Sequence, residues 1–201
     1  MKKRSIPKEK TNIVRRYGSA SAWTSGVALT RSRRIGERTQ PIGAMTSKRT
    51  VERSDLVKRR QPLLHAATRL VAHPQIRNRG TVGGSMAHAD PAAEYPAVAV
   101  ALDAELRALG PAGERSIKAE DFFVTYLTTA LEPNEVLIEV KVPALGERTG
   151  WALQEVARRH GDFAMAGTVV KLTLAPLLMA APLRVPLRVA APGVVPLVRV
   201  A

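Results

Sequence analysis

The residues best placed to do chemistry lie in one stretch, His73 to Asp90, which reads HPQIRNRGTVGGSMAHAD and is followed by PAAEYP. Gly83 and Gly84 remove two Cβ atoms in succession, so the backbone there can take unusual φ values and approach a ligand closely. Consecutive N–H groups of such a turn, with the Thr81 and Ser85 hydroxyls, predict a nest that wraps a diphosphate. The turn is expected to feed a helix whose N-terminal dipole adds to the attraction. Arg77 and Arg79 stand just upstream, where they would steer the anion. Taken alone, a glycine pair marks a structural turn first and a ligand loop second.

Each neighbouring polar residue has a plainer reading beside its chemical one. His73 precedes Pro74 and fits a helix end as well as a ligand contact. His88 and Asp90 are placed to bind a ligand or to cap a helix starting near Pro91. His160 and Asp162 form either an acid–base pair or a hydrogen-bonded hairpin turn. Trp151 and Phe163 read as core aromatics, and Lys58, Arg59 and Arg60 as a solvated helix end whose charge offsets the dipole.

The elements that must position these residues read as α+β. Val51 to Arg60 and Pro62 to Ala72 are predicted as successive helices, the second with Leu63, Leu64, Ala66, Ala67, Leu70 and Val71 on one apolar face. Pro74 is expected to stop it. A glycine-rich turn then leads to a helix over Pro91 to Leu102, kinked at Pro96. Alternation predicts strands at Glu105 to Leu109 and Val136 to Val142, with a short helix from Ala119 to Tyr126 between them. Trp151 to Ala157 and Ala164 to Leu174 are further strands, joined through a polar turn at 158–162. Three zones follow: a basic, poorly structured leader at 1–40, a folded domain at 41–174, and a Pro/Arg/Val tail at 175–201.

Composition narrows the function. The chain has 201 residues, 45% apolar and 24% charged, as in an ordinary globular domain. It has no cysteine, which excludes disulfides, thiolate zinc sites, cysteine nucleophiles and any iron–sulfur cluster held by this chain. The net charge of +14 is lopsided: residues 1–60 hold 17 Lys and Arg against 4 Asp and Glu, leaving only +1 for the rest. A basic protein that contacts nucleic acid through residues 1–60 is therefore the rival reading, although Tyr17 and Trp23 are too few aromatics for a stacking platform. No apolar run follows Met1 to Arg4 or the Arg15–Arg16 pair, and Leu172 to Leu183 is too short to span a bilayer. A cytoplasmic protein is expected.

In order along the chain, PIGAMT from Pro41, ERSDL from Glu52, the stretch from His73 to Ala93 and that from Trp151 to Gly167 resemble the FAD-binding middle subunit of molybdenum hydroxylases, the carbon monoxide dehydrogenase and xanthine dehydrogenase family. The resemblance spans Gln40 to Leu174. It implies the second lobe of the FAD-binding fold shared with vanillyl-alcohol oxidase, with irregular N- and C-terminal segments. It also implies FAD as cofactor, with Thr81, Val82, Gly83, Gly84 and Ser85 on the diphosphate and Glu94 at the ribose or adenosine. Val71 and Leu137 would lie at the adenine. Gln154 would stand near the isoalloxazine, where a lysine is common. No catalytic residue and no metal ligand are implied, since the flavin does the redox chemistry. The implied partners are an iron–sulfur small subunit and a molybdopterin-binding large subunit.

The family carries a second glycine-pair loop on an N-terminal lobe. Here Gly18, Gly26, Gly36 and Gly43 stand isolated before Gly83. Against the family pattern the chain reads as truncated or frameshifted at both ends. Loss of three charge-assisted hydrogen bonds, at about 1.5–3 kcal/mol each, predicts FAD affinity at least about three decades weaker than a two-loop cradle gives. An inactive remnant is the third reading.

Overall fold

The computed structural model describes residues 39–174 in full and the backbone of 187–191 and 194–200. Most of the basic leader, and with it most of the rival nucleic-acid surface, lies outside the described residues.

Chain order begins with strand β1 (Thr39–Gly43), which turns Gln40 and Ile42 inward and carries Pro41 at the sheet edge, where no ladder donor is needed. Helix α1 (Lys48–Arg53) starts at Ser47, whose hydroxyl accepts the Thr50 N–H at 3.1 Å. Helix α2 (Asp55–Arg60) starts at Ser54, whose hydroxyl accepts the Val57 N–H. The single helix expected up to Arg60 is thus two, because a second cap resides at Ser54. Helix α3 (Pro62–Leu70) buries Leu63, Leu64 and Ala67 of the predicted face and Thr68 beside them, while Ala66 and Leu70 are half-buried.

Two prolines do other work than expected. Pro74 opens a further helix, α4 (Pro74–Arg79), because its missing N–H falls among the donors that a first turn leaves unpaired anyway. Pro96 lies in the first turn of α6 (Glu94–Ala101) for the same reason, and the helix begins there, not at Pro91. Between them the glycine pair sits inside helix α5 (Val82–His88), not in an open turn, with Thr81 as its N-cap. The C-cap Ala89 takes a left-handed φ of 50°.

Strands β2 (Glu105–Gly110) and β3 (Gly113–Lys118) form a hairpin. The short helix α7 (Ala119–Phe122) ends four residues early, and the chain turns into the small hairpin β4 (Phe123–Thr125) and β5 (Thr128–Thr129). Strand β6 (Val136–Pro143) then inserts between β1 and β2, antiparallel to both, so the first sheet has the order β1-β6-β2-β3. Strands β7 (Thr149–Val156) and β8 (Ala166–Thr173) open a second sheet. The proline-spaced tail contributes two further strands to it, β9 (Leu187–Ala191) and β10 (Val194–Val200), in the order β10-β9-β8-β7. The β10 register shifts between Val194 and Val198, and Pro196 lies in that interval on an edge strand, where a missing ladder donor is tolerated.

The core joins the helices to the first sheet: Ile42, Leu63, Leu64, Met86, Tyr95, Leu102, Leu106 and Phe122 are fully enclosed. Tyr95 brings a hydroxyl into it and meets the Thr68 hydroxyl at 2.9 Å. Leu153 and Val169 extend this core to the second sheet, and Lys171 Nζ reaches Asp103 Oδ2 at 2.6 Å. Among the described residues no helix is long and apolar enough to cross a membrane.

Candidate functional site

The segment Gly80 to Ser85 docks against the loop that follows β1. Lys48 N–H donates to Gly80 O and Val82 N–H to Thr46 O, each at 2.9 Å, and Gly83 N–H donates to Ala44 O at 2.7 Å. Ala44 N–H in turn donates to Ile138 O at 2.9 Å, which ties the turn to β6 beside Leu137. Gly84 N–H donates to Thr81 Oγ1 at 3.0 Å and Ser85 N–H to Thr81 O at 3.2 Å.

These bonds correct the expected nest. The amides of Val82 and Gly83 face inward and are already engaged, so they seat the turn. A Cβ on Gly83 would stand 2.5 Å from Ala44 Cβ and 2.9 Å from Ala44 Cα and O, so this glycine serves protein packing. Gly84 differs: it is exposed, and a Cβ there would meet only Thr81 Oγ1, at 2.8 Å. The surface offered outward is therefore a bare helical first turn at Gly84, flanked by the hydroxyls of Thr81 and Ser85. The Gly84 and Ser85 amides are themselves bonded to Thr81, so the donors left for an incoming phosphate are the two hydroxyls, and the missing Cβ at Gly84 gives it room. Arg77 does not steer anions, being 6% exposed and bound to Glu52, whereas Arg79 is exposed.

The remaining expected residues divide between two places. Leu137, buried on β6, sits on the Ala44 side of the turn. Glu94 opens α6, with Lys48, Asp90 and Glu155 close enough to act on its charge. Burial first pushes the Glu94 carboxyl above the usual range. Glu155 and Asp90 add to that, while a bond from its own backbone N–H and the Lys48 ammonium oppose it. Lys48, missed from the sequence, is only 9% exposed, with its ammonium 5.5 Å from the Tyr95 ring centroid and its stem against Gly80. Burial lowers its pKa against the pull of Glu94. Gln154 is exposed on β7, opposite Thr168, and helps line an open cavity of about 350 Å³ with Glu155, Val156 and residues 165–168. Val71 follows α3, buried, and its carbonyl accepts from Arg77. The turn between β7 and β8 rests on the same corner, since a Cβ at Gly161 would lie 2.5 Å from the His73 ring and 3.1 Å from Ala72 O.

Among the other polar candidates, Asp90 does not cap a helix, since α6 has Ala93 at its N-cap; its Oδ1 accepts the Ala92 N–H at 2.8 Å and fixes the turn before α6. His73 takes the N-cap position of α4 without a side-chain cap. His160 and Asp162 lie in the β7–β8 turn, where Asp162 N–H donates to Arg159 O. Lys58, Arg59 and Arg60 form the exposed last turn of α2. Trp151 and Phe163 are not core: they are 38% and 68% exposed, because β7 is a sheet edge and Phe163 lies in the β7–β8 connection.

Residues 26–145 match the family described as the FAD binding domain in molybdopterin dehydrogenase. The chain belongs to this family. As a molybdopterin-dehydrogenase FAD-binding domain it is 45% identical over 129 residues to the carbon monoxide dehydrogenase medium chain of Hydrogenophaga pseudoflava, covering 64% of this chain and 45% of that one. It is 43% identical over 141 residues to the 6-hydroxypseudooxynicotine dehydrogenase complex subunit alpha of Paenarthrobacter nicotinovorans, covering 70% and 48%. A chain of the Hydrogenophaga pseudoflava carbon monoxide dehydrogenase, solved without the Mo-pyranopterin moiety, superposes with a TM-score of 0.72 at 40% identity, over 82% of this chain and 55% of that one. A chain of quinoline 2-oxidoreductase from Pseudomonas putida 86 gives 0.69 at 33% identity, over 79% of this chain and 53% of that one. The FAD-binding domain thus spans about half the length of the relatives it matches, and its α+β fold is theirs.

Proposed function

We propose that this chain is the FAD-carrying part of a molybdenum hydroxylase. When bound, FAD supplies the relay: it accepts electrons from iron–sulfur clusters and passes them to an external acceptor. Those clusters belong to a small subunit and the oxidised substrate to a molybdopterin-binding large subunit, since this chain has no cysteine to hold a cluster.

The observation that carries the reading is the exposed, Cβ-free first turn at Gly84 between two hydroxyls, in a domain of an FAD-binding family. Thr81, Gly84 and Ser85 hold the diphosphate, while Val82 and Gly83 pin that turn to the protein. Glu94 accepts from the ribose hydroxyls, Val71 and Leu137 flank the adenine, and Gln154 stands beside the isoalloxazine, at the rim of the β7–β8 cavity. The chain's own contribution is binding, orientation and exclusion of water. It moves no proton of the reaction.

Titration with FAD, followed by quenching of flavin fluorescence, tests this. Saturable binding is expected, with the flavin fluorescence quenched to a plateau. No saturation at any accessible FAD concentration would contradict it. The nucleic-acid reading draws nothing from the comparisons. A DNA duplex titrated at low salt is expected not to bind, whereas affinity falling steeply with salt would revive that reading.

Glu94 gives this binding a pH dependence. An ionised carboxylate makes the stronger bond to a ribose hydroxyl, and burial lifts the pKa of Glu94. Affinity for ADP is therefore expected to fall on acidification before ordinary carboxylates titrate, near pH 4.3. Glu94→Gln should flatten that dependence. An unchanged profile in the variant would remove Glu94 from the ribose.

A further inference from the structure

Arg77 is spent in an unusual way. Its Nη1 donates to Val71 O at 2.8 Å and to Ala72 O at 2.9 Å. Its Nε and Nη2 grip the two oxygens of Glu52, each at 3.2 Å. Glu52 is anchored in turn, since its carboxylate accepts from Arg49 Nη1 at 2.6 Å and its backbone carbonyl meets His65 Nε2 at 3.0 Å. A buried ion pair gains little stability over apolar side chains of the same volume. What this one does is fix two consecutive carbonyls at a corner where Ala72 takes a φ of 42°, a conformation that a non-glycine residue holds only under outside constraint. The turn carrying Gly161 rests on that corner, so its position also sets where the β7–β8 hairpin lies.

We propose that Arg77, held by Glu52, is a positioning residue for the adenine half of FAD: it locks the Val71–Ala72 corner and so fixes the wall that Val71 presents to the adenine. This rests on the reading of Val71 as an adenine contact. Arg77 touches no cofactor atom itself. A planar fork reaching two carbonyls and a carboxylate together is what the site requires, and a lysine cannot reproduce it.

The test uses the full chain and its Arg77→Lys, Glu52→Gln and Val71→Ala variants, each titrated with ADP and with FMN, with melting followed in parallel. Arg77→Lys is expected to weaken ADP binding about tenfold and to leave FMN within about twofold, with Glu52→Gln showing the same selectivity more weakly. Should Arg77→Lys not fold, Glu52→Gln carries the same expectation. Because Arg77 acts through Val71, the Arg77→Lys/Val71→Ala double variant should lose no more ADP affinity than the worse single variant. A purely structural role would depress ADP and FMN together, and that result overturns the proposal. Wild-type ADP affinity in both Arg77→Lys and Glu52→Gln also overturns it, and if Val71→Ala still weakens ADP, the adenine contact stands without it. If Val71→Ala leaves ADP unchanged, the adenine reading itself fails.

Discussion

Gly83→Ala is expected to lower the unfolding free energy by about 3 kcal/mol, the upper end of what overpacking a well-filled site costs. The new methyl would stand 2.5 Å from Ala44 Cβ and 2.9 Å from two Ala44 backbone atoms. Ala44 cannot step aside cheaply, because its N–H is bonded to Ile138 O and its carbonyl to the Gly83 N–H itself. Relief therefore means lifting α5 off the loop after β1 and breaking the 2.7 Å bond that seats it. The gain in helix propensity of alanine over glycine, about 1 kcal/mol, offsets only part of this. Denaturant unfolding of the purified variant measures the loss. A midpoint equal to wild type would mean that α5 does not pack as described.

Gly84→Val is expected to do the opposite: little to stability and much to FAD. Its Cβ meets only the end of the Thr81 side chain, which can rotate away. That rotation gives up the cap bond to the Gly84 N–H, worth about 0.5–2 kcal/mol. Losing a glycine from a helix returns a few tenths of a kcal/mol, so the net loss should stay below about 2 kcal/mol, less than at Gly83. The branched side chain, however, fills the space where a phosphate would lie on the bare turn. Losing even one charge-assisted hydrogen bond costs about 1.5–3 kcal/mol, so FAD affinity should fall at least about tenfold. The two variants are thus expected to separate: Gly83→Ala acts on the fold and Gly84→Val on FAD.

Much of this was legible in the residues. Alternation located β2 and β6, and i, i+3, i+4 spacing located α3, because a half-buried strand and an amphipathic helix leave those periods in any sequence. The order of short segments from Pro41 to Gly167 carried the family. What the sequence could not show depended on partners far along the chain. Whether the amides of residues 82 and 83 are free depends on Thr46 and Ala44. Whether Arg77 faces an anion or a carboxylate depends on Glu52, 25 residues earlier. Lys48 reads as a surface lysine until Gly80 and Tyr95 close over it. Pro74 and Pro96 were misread as breaks, because a helix terminator and a first-turn proline look alike without knowledge of where the donors go. Ser54 was the one missed signal within reach, a capping residue standing between two short, mostly charged helical segments. Trp151 and Phe163 read as core aromatics in the sequence, but an edge strand and a connecting turn leave them exposed.

An amide ¹H–¹⁵N correlation spectrum of the full chain titrated with FAD measures directly where the diphosphate meets the chain. The largest shifts are expected at Thr81, Gly84 and Ser85, which reach the surface, with those of the buried Val82 and Gly83 smaller. Saturable FAD binding that leaves Gly84 and Ser85 unmoved would contradict it.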